Sequence, residues 1–282
     1  MSYIYVNRKT IPEAWEEAVV RCWNEGDEVK TQYDKPEDPP SRDCVAMIVI
    51  QDPMAEPRIH KAFPDSLEKL EYYRQEVVEG IHDHWVDPGA GKWGYTYFGR
   101  LRKYPYHDEN GELQHQDQIE QVIQQLAEDD FTRRAQAITW IPYLDSYDDH
   151  AACLQSMWFR VVNGELRMNV RMRSNDAFLA APENIWAFIS IQEYVANELG
   201  KRTGKTIPIG SYCHFSDSFH IYSSYFERFE GFLKSLKDRQ FEDRVWRSDS
   251  PIVQECFDSA KRLIELEKGM TPQEVNNLWM NL

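Results

Sequence analysis

An α/β (α+β) fold, a single domain with one large mixed β-sheet flanked by helices, is what the sequence predicts. Three observations carry it. Strand-like and helix-like patterns alternate along the 282 residues. Asn163-Gly164 joins two strand patterns, and both turn positions favour positive φ, so at least one pair is an antiparallel hairpin. No stretch between elements has the length or composition of a linker.

The elements follow in order. "YIYVN" near the N-terminus is a short strand. In "TIPEAWEEAVVRCW", Thr10 is the N-cap, Glu13 stands three residues on, and Ala14, Trp15, Ala18, Val19 and Cys22 recur at helical spacing. "YDKPEDPPSRD" is a surface loop, because its prolines and charges remove ladder donors and core-forming side chains. "CVAMIVI" is a buried strand. Helices are predicted at 65–80 and 115–128, then a strand at "AQAITWI". "CLQSMWFRVV" and "ELRMNVRMRS" form the hairpin. Pro182 opens the helix "ENIWAFISIQEYVANELG", with Gly200 as its C-cap. "TIPIGSYCHFS" is a strand and "SYFERFEGFLKSL" a helix. The segment beyond about residue 240 is helical and charged.

Net charge is −15 and the pI is about 5, which disfavours polymeric nucleic acid as a partner. A small anion still fits where arginines converge. No apolar run approaches the roughly 20 residues a membrane helix needs, and "MSYIYVNRKTI" lacks a signal-peptide core. The cysteines number five, without CxxC spacing, a pattern that fits reduced thiols in a cytoplasm.

A few residues stand out for chemistry. Cys153 opens a strand after the acidic loop "LDSYDDHAA". A cysteine is more often a small buried hydrophobe, but the hairpin returns Arg173 to the same end of the sheet, where a guanidinium favours thiolate. Arg133-Arg134, alone a solvated pair, would add two forks for phosphate oxygens. His220 and Tyr222 project to one face if their segment is extended. Core packing explains such a pair, and so does hydrogen bonding to a sugar hydroxyl. "HDHW" at 82–85 lacks a third ligand at metal spacing, so no metal site is expected.

This combination resembles the thymidylate synthase family, which includes the pyrimidine nucleotide hydroxymethylases of phages. The cysteine opening a strand, "RSND", a Pro-x-Asn opening a helix, "HIY", and an earlier "RR" occur in family order over roughly residues 65–230. The stretches "IPEAW", "DPPSRD", "DPMAEPRIH", "GIHDHW", "YTYFGRL" and "SDSFHIYSSYF" are similar to the methanogen-type branch. The resemblance implies a homodimer with sheets packed back to back, dUMP as substrate, and a methylene-carrying reduced folate or related pterin as cosubstrate. It implies Cys153 as the nucleophile for C6 of uracil and Tyr95 as an aid to proton removal at C5. Arg173 and Ser174 would hold the 5′-phosphate, with Arg133 and Arg134 supplied by the partner subunit. His220 and Tyr222 would bind the 3′-hydroxyl, and Asp176, Trp85 and His82 the pterin. Asn184 would read uracil, since its amide matches the O4 acceptor and N3–H donor.

Departures accompany the likeness. The cysteine is flanked as Ala151-Ala152-Cys153-Leu154 rather than Pro-Pro-Cys-His, and Asp217 stands one residue further upstream of the His-x-Tyr motif than the family's aspartate. The proton-relay glutamate aligns poorly, with Glu71 preferred and Glu68 second. The end "VNNLWMNL" does not match the family's closing tail. The product is expected to be dTMP; 5-hydroxymethyl-dUMP is the alternative, and a non-catalytic nucleotide-binding homologue is a third reading. A binding module would not need the thiol at Cys153.

Overall fold

A computed structural model describes residues 1–31, 34–63, 65–90 and 93–280. The predicted loop at "YDKPEDPPSRD" begins on Tyr33, which lies outside the described residues, as do the last two residues of the C-terminal "VNNLWMNL". The chain opens with β1 (Tyr3–Arg8), α1 (Ile11–Glu25), β2 (Asp27–Val29), β3 (Ser41–Ile50) and β4 (Ile59–His60). Next come α2 (Leu67–Glu79), α3 (Tyr97–Arg102), β5 (Tyr104–His107), β6 (Leu113–Gln116), α4 (Gln118–Glu128), β7 (Gln136–Ile138) and α5 (Pro142–Asp145). The hairpin strands β8 (Leu154–Val162) and β9 (Glu165–Met172) precede β10 (Asn175–Asp176), α6 (Ala181–Thr203) and β11 (Ile209–Ile221). The chain ends with α7 (Phe226–Asp238), β12 (Val245–Trp246), α8 (Pro251–Glu267) and α9 (Pro272–Met280).

The main sheet has eight strands in the order β1-β3-β11-β9-β8-β7, with β2 added to β3 and β10 to β11. It is mixed as expected: β1 and β3 are parallel, β3 and β11 antiparallel, β11 and β9 parallel, β9 and β8 antiparallel. Asn163 and Gly164 have φ of 56° and 83°, the left-handed pair that a two-residue turn requires. Thr10 and Glu13 form the capping box of α1, each satisfying a backbone N–H that the first turn leaves unpaired. Helices α1 and α6 pack on one sheet face, with Trp15, Phe188, Ile189 and Val195 among the buried side chains there. The other face presents Tyr3, Tyr5, Met47, Asn169 and Arg171 to solvent.

Several boundaries differ from the sequence reading. α6 runs past Gly200 to Thr203, and Gly204 at φ 67° is its left-handed cap. Gly200 meets a different demand: a Cβ there would lie 2.9 Å from the Lys205 carbonyl oxygen where the chain turns back. His115 and Gln116 belong to β6, because Asp117 rather than an earlier residue caps α4. Only the first part of "AQAITWI" pairs as β7; Pro142 then starts α5, and the Asp145 carboxylate accepts the Ile141 N–H. Among the described residues, no helix is long and apolar enough to cross a membrane.

Candidate active site

The hairpin brings Cys153 and Arg173 together. Leu154 pairs with Met172 across β8 and β9, so the preceding and following residues become neighbours, and the Arg173 N–H donates to the Cys153 carbonyl at 2.9 Å. The Arg173 guanidinium donates through Nε to the Ala152 carbonyl at 3.1 Å and through Nη2 to that of Ala151 at 2.5 Å. It therefore clamps the loop that carries the cysteine. The expectation that arginine would leave the thiol more acidic than usual is corrected: burial pushes the Cys153 thiol up, and the opposing pull of Arg173 is smaller.

A wall of tyrosines stands beside the thiol. The Tyr95 oxygen is hydrogen-bonded to the Cys153 backbone and to Tyr97, and burial pushes its hydroxyl up to about 12. The Tyr97 oxygen accepts the Leu154 N–H at 3.3 Å. Arg100 lies over the Tyr95 ring at 5.4 Å and is itself held by Asp145 in a two-pronged pair. Tyr73 donates to the Asn184 side-chain oxygen at 2.6 Å, and its hydroxyl is close enough to Cys153 for a thiolate there to push it up, although burial is the larger cause.

On the far side of Tyr73 opens a cavity of about 570 Å³, lined by Asp65, Lys69, Tyr72, Tyr73, Glu76, Glu183 and others. His82 and Trp85 form part of its wall, stacked at 3.8 Å with 8° between their planes, and Trp93 meets Trp85 edge-on at 5.2 Å. A stacked aromatic wall with carboxyls beside it fits a flat heteroaromatic ring whose N–H groups need acceptors. Both His82 nitrogens are engaged, Nδ1 by Glu76 at 2.9 Å and Nε2 by Tyr72 at 2.8 Å; Tyr72 in turn donates to Glu267 at 2.7 Å. Pro272, Gln273 and Val275 close one side, so the C-terminal helix α9, which the sequence left without a role, is a wall of this cavity.

Glu71, preferred as the proton-relay carboxylate, does not reach the cavity. It takes Arg74 at 2.7 and 2.8 Å and Gln75 at 2.9 Å. At 100° per residue, positions 71 and 76 face about 140° apart around a helix, and Glu76 holds the cavity side. Glu68 is bonded to Cys256, also away from it. Glu76, which the sequence reading did not single out, shares one helical face with Tyr72 and Tyr73, four and three residues before it.

Asp176 caps the turn before α6: its Oδ1 accepts the N–H groups of Phe178 and Leu179 at 3.0 and 2.9 Å, and burial pushes its carboxyl up to about 6. His220 is the parallel neighbour of Asp176 across β10 and β11, and its ring meets that of Tyr222 at 4.5 Å. Burial pulls the His220 imidazole down to about 4, and its Nε2 is buried without a hydrogen bond among the described residues. Ser174 is half-buried and follows Arg173. Asp217 forms a surface pair with Arg171 at 2.8 Å. Arg133 and Arg134 are exposed, beside Trp158, whose indole N–H donates to the Arg133 carbonyl. Among the described residues, no group of three or more His, Cys, Asp or Glu side chains is arranged to hold a metal.

The fold and site define a mixed α/β protein with a cysteine–arginine junction at one hairpin end. The family model described as Thymidylate synthase matches residues 64–257, and the chain belongs to that family. Three relatives, each named "Putative thymidylate synthase", come from methanogens, consistent with a methanogen-type branch. That of Methanocaldococcus jannaschii is 29% identical over 77% of this chain and 90% of its own. That of Methanococcoides burtonii is 29% identical over 82% and 95%, and that of Methanosarcina mazei 30% over 82% and 95%. Among solved structures, thermostable thymidylate synthase A from Bacillus subtilis shares the fold, with a TM-score of 0.57 and 18% identity over 80% of this chain and 84% of that one.

Proposed function

We propose that the chain methylates dUMP at C5 to give dTMP, with Cys153 as the nucleophile and a methylene-carrying reduced folate or related pterin as cosubstrate. The observation that carries this reading is the junction itself: a thiol and a guanidinium on adjoining strand ends, with a buried asparagine nearby and an aromatic-walled cavity behind it.

The Cys153 thiol adds to C6 of the uracil ring, giving up its proton to water as the S–C6 bond forms; burial keeps the resting thiol protonated until then. Addition pushes negative charge onto O4, where the Asn184 amide N–H donates to it, and C5 becomes nucleophilic. The pterin supplies the one-carbon unit and, for methylation, the hydride. Tyr95, held over the Cys153 backbone, orders the path by which the C5 proton leaves. Glu76 takes the relay role first assigned to Glu71. His82, Trp85 and Asp176 hold the pterin, and Arg173 with Ser174 meets the 5′-phosphate while keeping the cysteine loop in place. His220 enters neutral, so its Nε2, unpartnered among the described residues, can bond the 3′-hydroxyl beside Tyr222.

Arg133 and Arg134, exposed at the β7 edge, complete the phosphate site of a second protomer packed on the bare sheet face. We read residues 1–282 as one domain, with 240–282 as a helical extension that walls the pterin site. The five cysteines are free, which fits a cytoplasmic enzyme. The alternative product, 5-hydroxymethyl-dUMP, draws support from Glu183, a cavity carboxyl able to hold a water.

Incubation with 5-fluoro-dUMP and methylene-tetrahydrofolate is expected to add the mass of both to the wild-type chain and nothing to Cys153→Ser. An unmodified wild-type mass removes the covalent mechanism. Chromatography of the product made from dUMP then separates dTMP from the hydroxymethyl nucleotide.

A further inference from the structure

Asn184 is buried at the start of α6, and its side-chain amide has two orientations that differ by a half-turn. One presents Oδ1 to Tyr73 and the other presents Nδ2. The Tyr73 hydroxyl lies 2.6 Å from Oδ1, and no other acceptor takes its proton among the described residues. Turning the amide over would put an N–H against the phenol oxygen and leave the phenol proton without its present acceptor. The carboxyls near enough to matter are Glu76 and Glu183. Glu76 already serves His82, and burial holds Glu183 protonated up to about 8, which removes the stronger acceptor.

We propose that Tyr73 is a positioning residue for base choice: by donating to Oδ1 it fixes the Asn184 amide, whose free N–H then faces a pyrimidine O4. Uracil offers an acceptor at that position and N3–H for the remaining Oδ1 lone pair, whereas cytosine offers an amino group and a bare N3. This inference rests on Asn184 being the base reader. It adds that selectivity belongs to the pair and not to the asparagine alone. Without the phenol, the amide is free to turn, and cytosine meets a complementary edge.

The test compares kcat/KM and calorimetric Kd for dUMP and dCMP in the wild type, Tyr73→Phe, Asn184→Asp and the double variant. Phenylalanine keeps the ring that packs between α2 and α6, and the Kd ratio reports even where turnover is lost. Tyr73→Phe is expected to lower the dUMP-over-dCMP ratio roughly three- to tenfold, the scale of one hydrogen bond. In the Asn184→Asp background the same change should leave the ratio unaltered, because both oxygens of a carboxylate accept. A Tyr73→Phe ratio equal to wild type, with Asn184→Asp shifting preference toward dCMP, overturns the positioning role and leaves the base reader standing. An Asn184→Asp ratio equal to wild type overturns both.

Discussion

Glu183 shows how one side chain can work against the stability of the fold that holds it. It lines the cavity one residue before Asn184, and no hydrogen bond to it is found among the described residues. Burial pushes its carboxyl up to about 8, helped by Asp65, Glu76 and Asp176 and opposed by Lys69. An unfolded glutamate ionises near 4.5. Between those values the folded state binds the extra proton, so stability falls as pH rises through the window and is unaffected below it. Glu183→Gln removes the ionisation, so its melting temperature is expected to match wild type at about pH 4, below the window, and exceed it by several degrees at about pH 9. A difference that does not change with pH refutes the shifted carboxyl. His220 acts at the opposite end: held neutral down to about 4, it lowers stability as pH falls below 6.5.

At the scale of elements, α2 and α9 decide what the cavity is. α2 turns Tyr72, Tyr73 and Glu76 toward the cavity and buries Glu71 on another side against Arg74 and Gln75, and α8 packs along it. The link to α9 is polar: Glu267 takes the Tyr72 hydroxyl, and the Trp85 indole donates to the Met270 carbonyl at 3.2 Å. α9 then lays Pro272, Gln273 and Val275 against the aromatic wall, excluding water from one side. Removing residues 271–282 keeps α8 and opens that side. The KM for the pterin is expected to rise on the order of tenfold, equivalent to about 1.4 kcal/mol, with dUMP affinity little changed. Equal weakening of both ligands would mean that the whole site had loosened and that α9 has no separate role.

At the scale of the molecule, the sheet is covered on one face by α1 and α6, while Tyr3, Tyr5 and Met47 stand exposed on the other. Under the proposed function a second protomer packs on this face, and a twofold axis makes such an interface self-complementary. Arg134→Ala and Cys153→Ser proteins, each inactive, are expected to recover activity on subunit exchange, approaching one competent site in each mixed dimer. Verified mixed dimers without activity would show that each site draws only on its own chain.

What the amino-acid order determined by itself is local. The Thr10 and Glu13 cap, the Asn163-Gly164 turn and the meeting of Cys153, at the head of β8, with the returning Arg173 follow from short-range chemistry, and each stands as read. Gly200 misled because a helix end and a close chain approach both call for glycine, and only the packed loop shows which applies. Tertiary structure alone decided which glutamate faces the cavity, that α9 walls it, that Tyr73 meets Asn184 from another helix, and that burial outweighs Arg173 at the thiol. Those outcomes depend on distances between segments far apart in the chain and on how much water they exclude, quantities that no local pattern encodes.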